Sequence, residues 1–248
     1  SVTIIEKYAF AKCPKLRHVT LPKHLSKISK GLFWQCSSLE GVVIPNSVQM
    51  IGFAAFKECT SIESIEIPNN VTEIEALAFL GCSSSVRVVI PNSVTKIGEY
   101  AFQGCTLLEK LEIPDSVTVI EKSAFSQCPK LKHVVLSKNL SKIEEALFWQ
   151  CTSLESIELP YGVTEIGVGA FVECSSLRQV VIPNTIAKLS ERAFEECTSL
   201  VNIEISYGVT EIEKSAFLKC SNLRSVVIPN SVTKIGEYAF QGCTSLES

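Results

Sequence analysis

Every cysteine in this chain lies 23 residues from the next. Written in rows of that length, the sequence gives ten complete rows, beginning at Ser1, His24, Ser47, Asn70, Ser93, Ser116, Asn139, Gly162, Thr185 and Gly208. An eleventh row, Ser231 to Ser248, holds eighteen residues. Position 13 of the row is occupied by Cys13, Cys36, Cys59, Cys82, Cys105, Cys128, Cys151, Cys174, Cys197, Cys220 and Cys243. Eleven of the twelve phenylalanines stand at position 10, and eight of the ten prolines at position 22. No insertion or deletion interrupts the pattern. A fixed period of this size is the signature of a stacked-repeat architecture, so residues 1–248 read as one solenoid with no internal domain boundary.

Within a row the apolar positions are 2, 5, 9, 10, 13, 16, 19 and 21, as in Val94, Ile97, Ala101, Phe102, Cys105, Leu108, Leu111 and Ile113. Leu111 and Ile113 alternate with Lys110 and Glu112, the period-two pattern of a strand with one buried face. Pro114 has no amide proton and ends the ladder. Positions 5 to 11, Ile97 to Gln103, predict one or two helical turns. Each row therefore reads as a short strand, a turn and a short helix. A row cannot bury its apolar side alone and needs a neighbour above and below. The expected fold is an α/β solenoid, with a curved parallel sheet on the concave side and short helices or turns on the convex side.

The composite row Ile-Pro-Asn-Ser-Val-Thr-x-Ile-Gly-x-x-Ala-Phe-x-x-Cys-x-x-Leu-x-x-Val-x-Ile closely resembles the BspA-type leucine-rich repeat. Val88–Thr106 carries it nearly whole, and Val226–Thr244 repeats those residues unchanged. The resemblance implies a secreted or surface-anchored protein of bacteria or parasitic protists. It also implies adhesion to host matrix proteins, epithelial cells or other microbes, and it implies no catalytic residues. An extracellular or cell-surface location follows from the resemblance alone.

Eleven cysteines invite a disulfide framework or a metal site. The number is odd and the spacing uniform. Parallel stacking holds neighbouring Cβ atoms farther apart than a bridge prefers, and closely paired ligands of the Cys-x-x-Cys kind are absent. The cysteines are expected to be a structural ladder of buried free thiols between the Phe and Leu columns. No cofactor and no metal are expected.

With 23 basic and 26 acidic residues the net charge is −3, which argues against a nucleic-acid partner. No apolar run reaches membrane-spanning length, so no membrane insertion is expected. Glu66, Glu112, Glu158 and Glu204 recur at position 20 of every second row, about 10 Å apart. That separation resembles the carboxylate pair of an inverting glycosidase, but an open sheet offers no pocket to raise one pKa. An enzyme is not expected. The candidate partner surface is the exposed strand face, carried by Glu66, Arg87, Lys110, Glu112, His133, Glu158, Gln179 and Glu204. Its mixed charge and valine stripes suit a protein, such as a host matrix or cell-surface protein, with a glycan as the second class. A spacer or stalk with no ligand of its own is the alternative reading. Trp34 and Trp149 offer a second candidate surface on the convex side. Row one has no polar cap beneath Val2, Ile5, Phe10 and Leu16, and end-to-end self-association is expected of such termini. Ser85 stands where other rows carry Leu or Ile, which marks row four as the expected weak point.

Overall fold

A computed structural model describes residues 2–248. The chain is a parallel β-solenoid with two strand stacks, to both of which most rows contribute. The first stack is built at positions 18–20, from His18–Thr20, Gly41–Val43, Ser64–Glu66, Arg87–Val89, Lys110–Glu112, His133–Val135, Gln179–Val181, Asn202–Glu204 and Ser225–Val227. The second uses positions 4–5, from Lys27–Ile28 through Lys234–Ile235. All pairings are parallel and join residues 23 apart, for example Lys27 to Met50 and Val180 to Ile203. One inward residue per short strand faces the core, and the flanking residues stay outside.

No helix occurs among the described residues, and the α/β assignment with short convex helices is corrected accordingly. The reason lies in the backbone. Positions 8 and 12 of every row have positive φ, from Tyr8 and Lys12 to Tyr238 and Gly242, and seventeen of these residues are not glycine. A left-handed residue every fourth position stops a right-handed helix from propagating. The amides then alternate in direction. Those at odd positions fold back within the row, as Leu32 to Ser29, Trp34 to Gly31 and Cys36 to Phe33. Those at even positions reach the next row, where Gly31, Phe33 and Gln35 donate to the carbonyls of Phe53, Ala55 and Lys57, each at 2.8 Å. Turn segments are thereby stitched along the stack as firmly as strands.

Two columns of the core bond row to row in a particular way. Phe10 through Phe240 stack ring on ring, with centroids 5.2–6.2 Å apart, inside the range of favourable offset stacking. The eleven thiols are free, and ten of them donate to the Phe carbonyl of the row before, from Cys36 to Phe10 through Cys243 to Phe217, at 3.0–3.7 Å. The thiols thus lock rows together as well as filling space. Cys36 to Cys220 are buried, whereas Cys13 is exposed and Cys243 half-buried. Burial, opposed by a backbone hydrogen bond from the cysteine of the row before, pushes Cys82 and Cys128 up to about 12 and raises the other buried thiols too.

Row four is sound. Ser85 is buried and its hydroxyl donates to Ile62 O at 2.8 Å, while Val86 stays outside at 48% exposure. The loosest junction lies between rows six and seven. There the second stack is interrupted between Val119–Ile120 and Lys142–Ile143. The first is reduced to the single bridge His133–Ser156, and the rings of Phe125 and Phe148 stand 6.2 Å apart, the widest spacing in the column.

Two outcomes follow. In hydrogen exchange, amides 141–145 and 155–158 are expected to lose protection before their counterparts in rows eight to ten; uniform protection would contradict a loose junction. The second concerns pH. The thiols ionise near their ordinary value, about 8.5, in the unfolded chain, but the nine buried ones stay protonated in the native chain. The unfolded state then binds fewer protons, so stability falls as pH rises, by about 1.4 kcal/mol per pH unit for each such thiol. Urea midpoints measured from pH 6 to 10 should be level up to pH 8 and drop steeply above it.

Candidate functional site

On the first strand stack, positions 18 and 20 point outward because position 19 is committed to the core. Glu66, Arg87, Lys110, Glu112, His133, Glu158, Gln179 and Glu204 are all exposed and all lie on this one face. Register brings two cations and an imidazole into one column: Arg87 pairs with Lys110, and Lys110 with His133, on consecutive strands. Like charges directly opposite one another are destabilising, so this column costs the fold stability. Position 20 avoids the same penalty by alternation. Glu66 pairs with Val89, Glu112 with Val135, and Glu204 with both Val181 and Val227. The acidic residues are thus held two rows apart rather than brought into contact. Of the valines between them, Val135 and Val181 are left in solvent at 59% and 62% exposure.

Ion pairing is concentrated on the other stack, along position 4. Lys142 meets Glu165 at 3.1 Å, and Glu211 bridges Lys188 and Lys234 at 3.8 and 3.5 Å. Lys96 lies between Glu121 at 3.0 Å and Glu73 at 3.4 Å, and those carboxylates, Glu121 foremost, hold its ammonium above the ordinary lysine range. Pairs this exposed contribute under ~1 kcal/mol each. This face is an electrostatic seam of the fold, and the strand face is the one left with unspent charge.

The strand face is also uneven in depth. Its ladder opens between rows two and three, where Gly41–Val43 and Ser64–Glu66 fall in separate sheets. It narrows to the single pair Arg87–Lys110 between rows four and five, and to one bridge between rows six and seven. A depression lies at each opening. The one at rows four and five is about 380 Å³, lined by Val86, Arg87, Lys110 and Glu112. That at rows six and seven is about 430 Å³, lined by Val135, Lys138, Glu158 and Tyr161. Periodicity alone gives no sign of these openings, because the row sequence is continuous across all three.

Among the described residues no group of three or more His, Cys, Asp or Glu side chains converges as a metal ligand set would. His133 is exposed on the strand face, and His18 rests 3.4 Å from Glu40. On the turn side, Trp34 and Trp149 are half-buried. The Trp34 ring is already engaged, with the Lys12 ammonium 5.0 Å and the Lys57 ammonium 5.9 Å from its centre. Sequence reading missed Tyr161 and Tyr207, which stand at position 23 beside the strand face with 84% of their surface exposed. The available signal was their departure from the Asn of Asn46, Asn69 and Asn184 at the same position.

A family model described as BspA type leucine rich repeat region matches six times, over residues 1–107, 78–200 and 164–248. It describes a repeat region and indicates no catalytic family. Among solved structures, a leucine rich repeat protein of T. pallidum is 34% identical, with 75% of this chain and 78% of that one covered and a TM-score of 0.61. A leucine rich cell surface protein of Faecalibacterium prausnitzii is 32% identical over 82% of this chain, with a TM-score of 0.56. This chain spans 63% of the length of that protein. A leucine-rich repeat protein of Bacteroides ovatus is 27% identical over 98% of this chain and 81% of that one, with a TM-score of 0.57. No curated protein matches. No helix among the described residues is long and apolar enough to cross a membrane.

Proposed function

We propose, for a chain that belongs to the BspA type leucine-rich repeat family, that it is a non-enzymatic binding module displayed outside the cell, engaging a protein partner through its strand face. One observation carries this reading. The core positions repeat almost without change from row to row, whereas position 18 reads His18, Gly41, Ser64, Arg87, Lys110, His133, Ser156, Gln179, Asn202 and Ser225. A column that served only to hold rows together would repeat as Phe and Cys do. Uncompensated cations at Arg87 and Lys110, with the His133 imidazole beside them and exposed valines and carboxylates around, are what a protein interface of mixed polarity uses.

An external location is supported by the likeness to the Faecalibacterium prausnitzii protein, which is described as a cell surface protein. Adhesion to matrix or to host cells is the role that such a location and such a face favour. The competing role is a spacer that carries other parts of a longer protein and binds nothing through this face.

Binding of the chain to immobilised matrix proteins and to epithelial cells separates the two. Wild-type protein is expected to bind saturably. A variant with Glu66, Glu112, Glu158 and Glu204 changed to Gln should bind at least about tenfold more weakly, the order of effect of losing interfacial charge pairs. Its thermal unfolding should be unchanged, because all four side chains are exposed. Equal binding by the variant would move the contact to the turn side around Trp149, and absence of binding would favour the spacer.

A further inference from the structure

Tyr161 and Tyr207 are explained neither by the core nor by the charge ladders. Both occupy position 23, just beyond the end of the strand segment, and each ring is 84% exposed. Each is followed by glycine, Gly162 and Gly208, at the position held in other rows by Ser47, Ser93 and Thr185. In those rows the hydroxyl ties one row to the next, as Ser47 to Leu25 O at 2.7 Å and Ser93 to Val71 O at 2.7 Å. The Tyr-Gly pair gives up that bond and places an aromatic ring in water. At Gly208 the exchange is enforced, since a Cβ there would lie 2.0 Å from Asn184 O. Gly208 is thus required by the close approach of Asn184, whereas the two exposed tyrosines contribute nothing to the core.

The two rings are separated by one row, which sets them about 10 Å apart along the stack. Asn184 lies between them at the same position. Glu158 and Glu204 stand at position 20 of the same two rows, both exposed. The depression between rows six and seven opens beside Tyr161.

We propose that Tyr161 and Tyr207 form a stacking platform for a neutral β-1,4-linked polysaccharide that runs along the stack, across the strands. The C–H face of a pyranose packs on an aromatic ring, and the length of one sugar unit is close to the distance between rows. Rings two rows apart therefore meet sugars two units apart. In a β-1,4-linked chain each sugar is turned over relative to the last, so the same face returns at every second unit, which matches the spacing of the rings. Glu158 and Glu204 accept hydrogen bonds from the hydroxyls of the sugars stacked beside them. Their charge repels a polyanion and so selects an uncharged chain. A protein partner is a poorer fit at this place, because protein hot spots cluster in pockets that become fully desolvated. These rings stand apart, with a row between them. The platform goes beyond the protein-binding reading and shares only Glu158 and Glu204 with it.

The test is calorimetric titration of the whole chain with cello- and xylo-oligosaccharides of two to six units, with polygalacturonate as the charged comparison. Affinity should step up between the disaccharide and the trisaccharide, the first length that reaches both rings. Tyr161→Asn and Tyr207→Asn should each weaken trisaccharide binding about tenfold, the order seen when one base loses its aromatic stacking partner, and the double variant should abolish it. Asn at Asn46 and Asn184 shows that the position accepts this side chain, and an unchanged melting curve checks that the variants fold. No binding at any length, equal binding by the double variant, or preference for polygalacturonate would overturn the proposal. So would loss of protein-partner binding in the double variant without any oligosaccharide binding, which would assign the rings to the protein interface.

Discussion

The structure depends on an amide direction that alternates through each turn segment. Odd positions close the turn on itself and even positions reach the next row, as Ala54, Phe56 and Glu58 do to the carbonyls of Ala76, Ala78 and Leu80. An extended strand presents amides to both sides without help, but a turn does so only if every fourth residue is left-handed. The chain accepts that conformation at residues as bulky as Tyr100 and Arg192, although it ordinarily costs about 1–2 kcal/mol per residue. The stitching and the thiol-to-carbonyl bonds offset this cost. Both sets join atoms at a fixed spacing in sequence, so row length is the quantity the fold cannot vary. One added residue would displace the Phe column, the thiol column and both strand stacks together.

Much of this was legible in the sequence because it is one-dimensional. The period, the inward set that includes Leu111 and Ile113, and the thiol and ring columns all follow from counting. Left-handed turns were not legible, because residues such as Leu77, Glu173 and Lys219 carry no local preference for positive φ. Alanine and phenylalanine at positions 9 and 10 look equally at home in a helix. The thiol's hydrogen bond was likewise hidden, since spacing gives adjacency and not the direction in which a thiol proton points. Ser85 adds a point of another kind. Volume alone predicted a defect, but a hydroxyl within reach of Ile62 O is satisfied where a methyl group would be inert.

The candidate face was legible in outline and not in relief. Alternation placed Glu66 to Glu204 outside and in line, and the pairing register agrees. Whether adjacent strands pair fully or by one residue is set by small differences in how rows seat on one another. A repeating sequence does not record these. Tyr161 and Tyr207 were visible as departures from a column of asparagines, but position 23 lies outside the strand and reads as turn. Their exposure becomes meaningful only when the strand face beside them is known to be open.

The junction between rows six and seven has a mechanical consequence. A pull applied along the stack is carried from row to row by whatever bonds cross each interface. At this interface the second strand stack carries none of its ladder, and the first carries one bridge. The turn bonds remain, among them Ser123 to Glu145 O and Gln127 to Trp149 O, so load there falls on one side of the solenoid. Under tension the array would hinge at that line before any other. It would part into two blocks of intact rows, opening the surface beside Tyr161 as it did so.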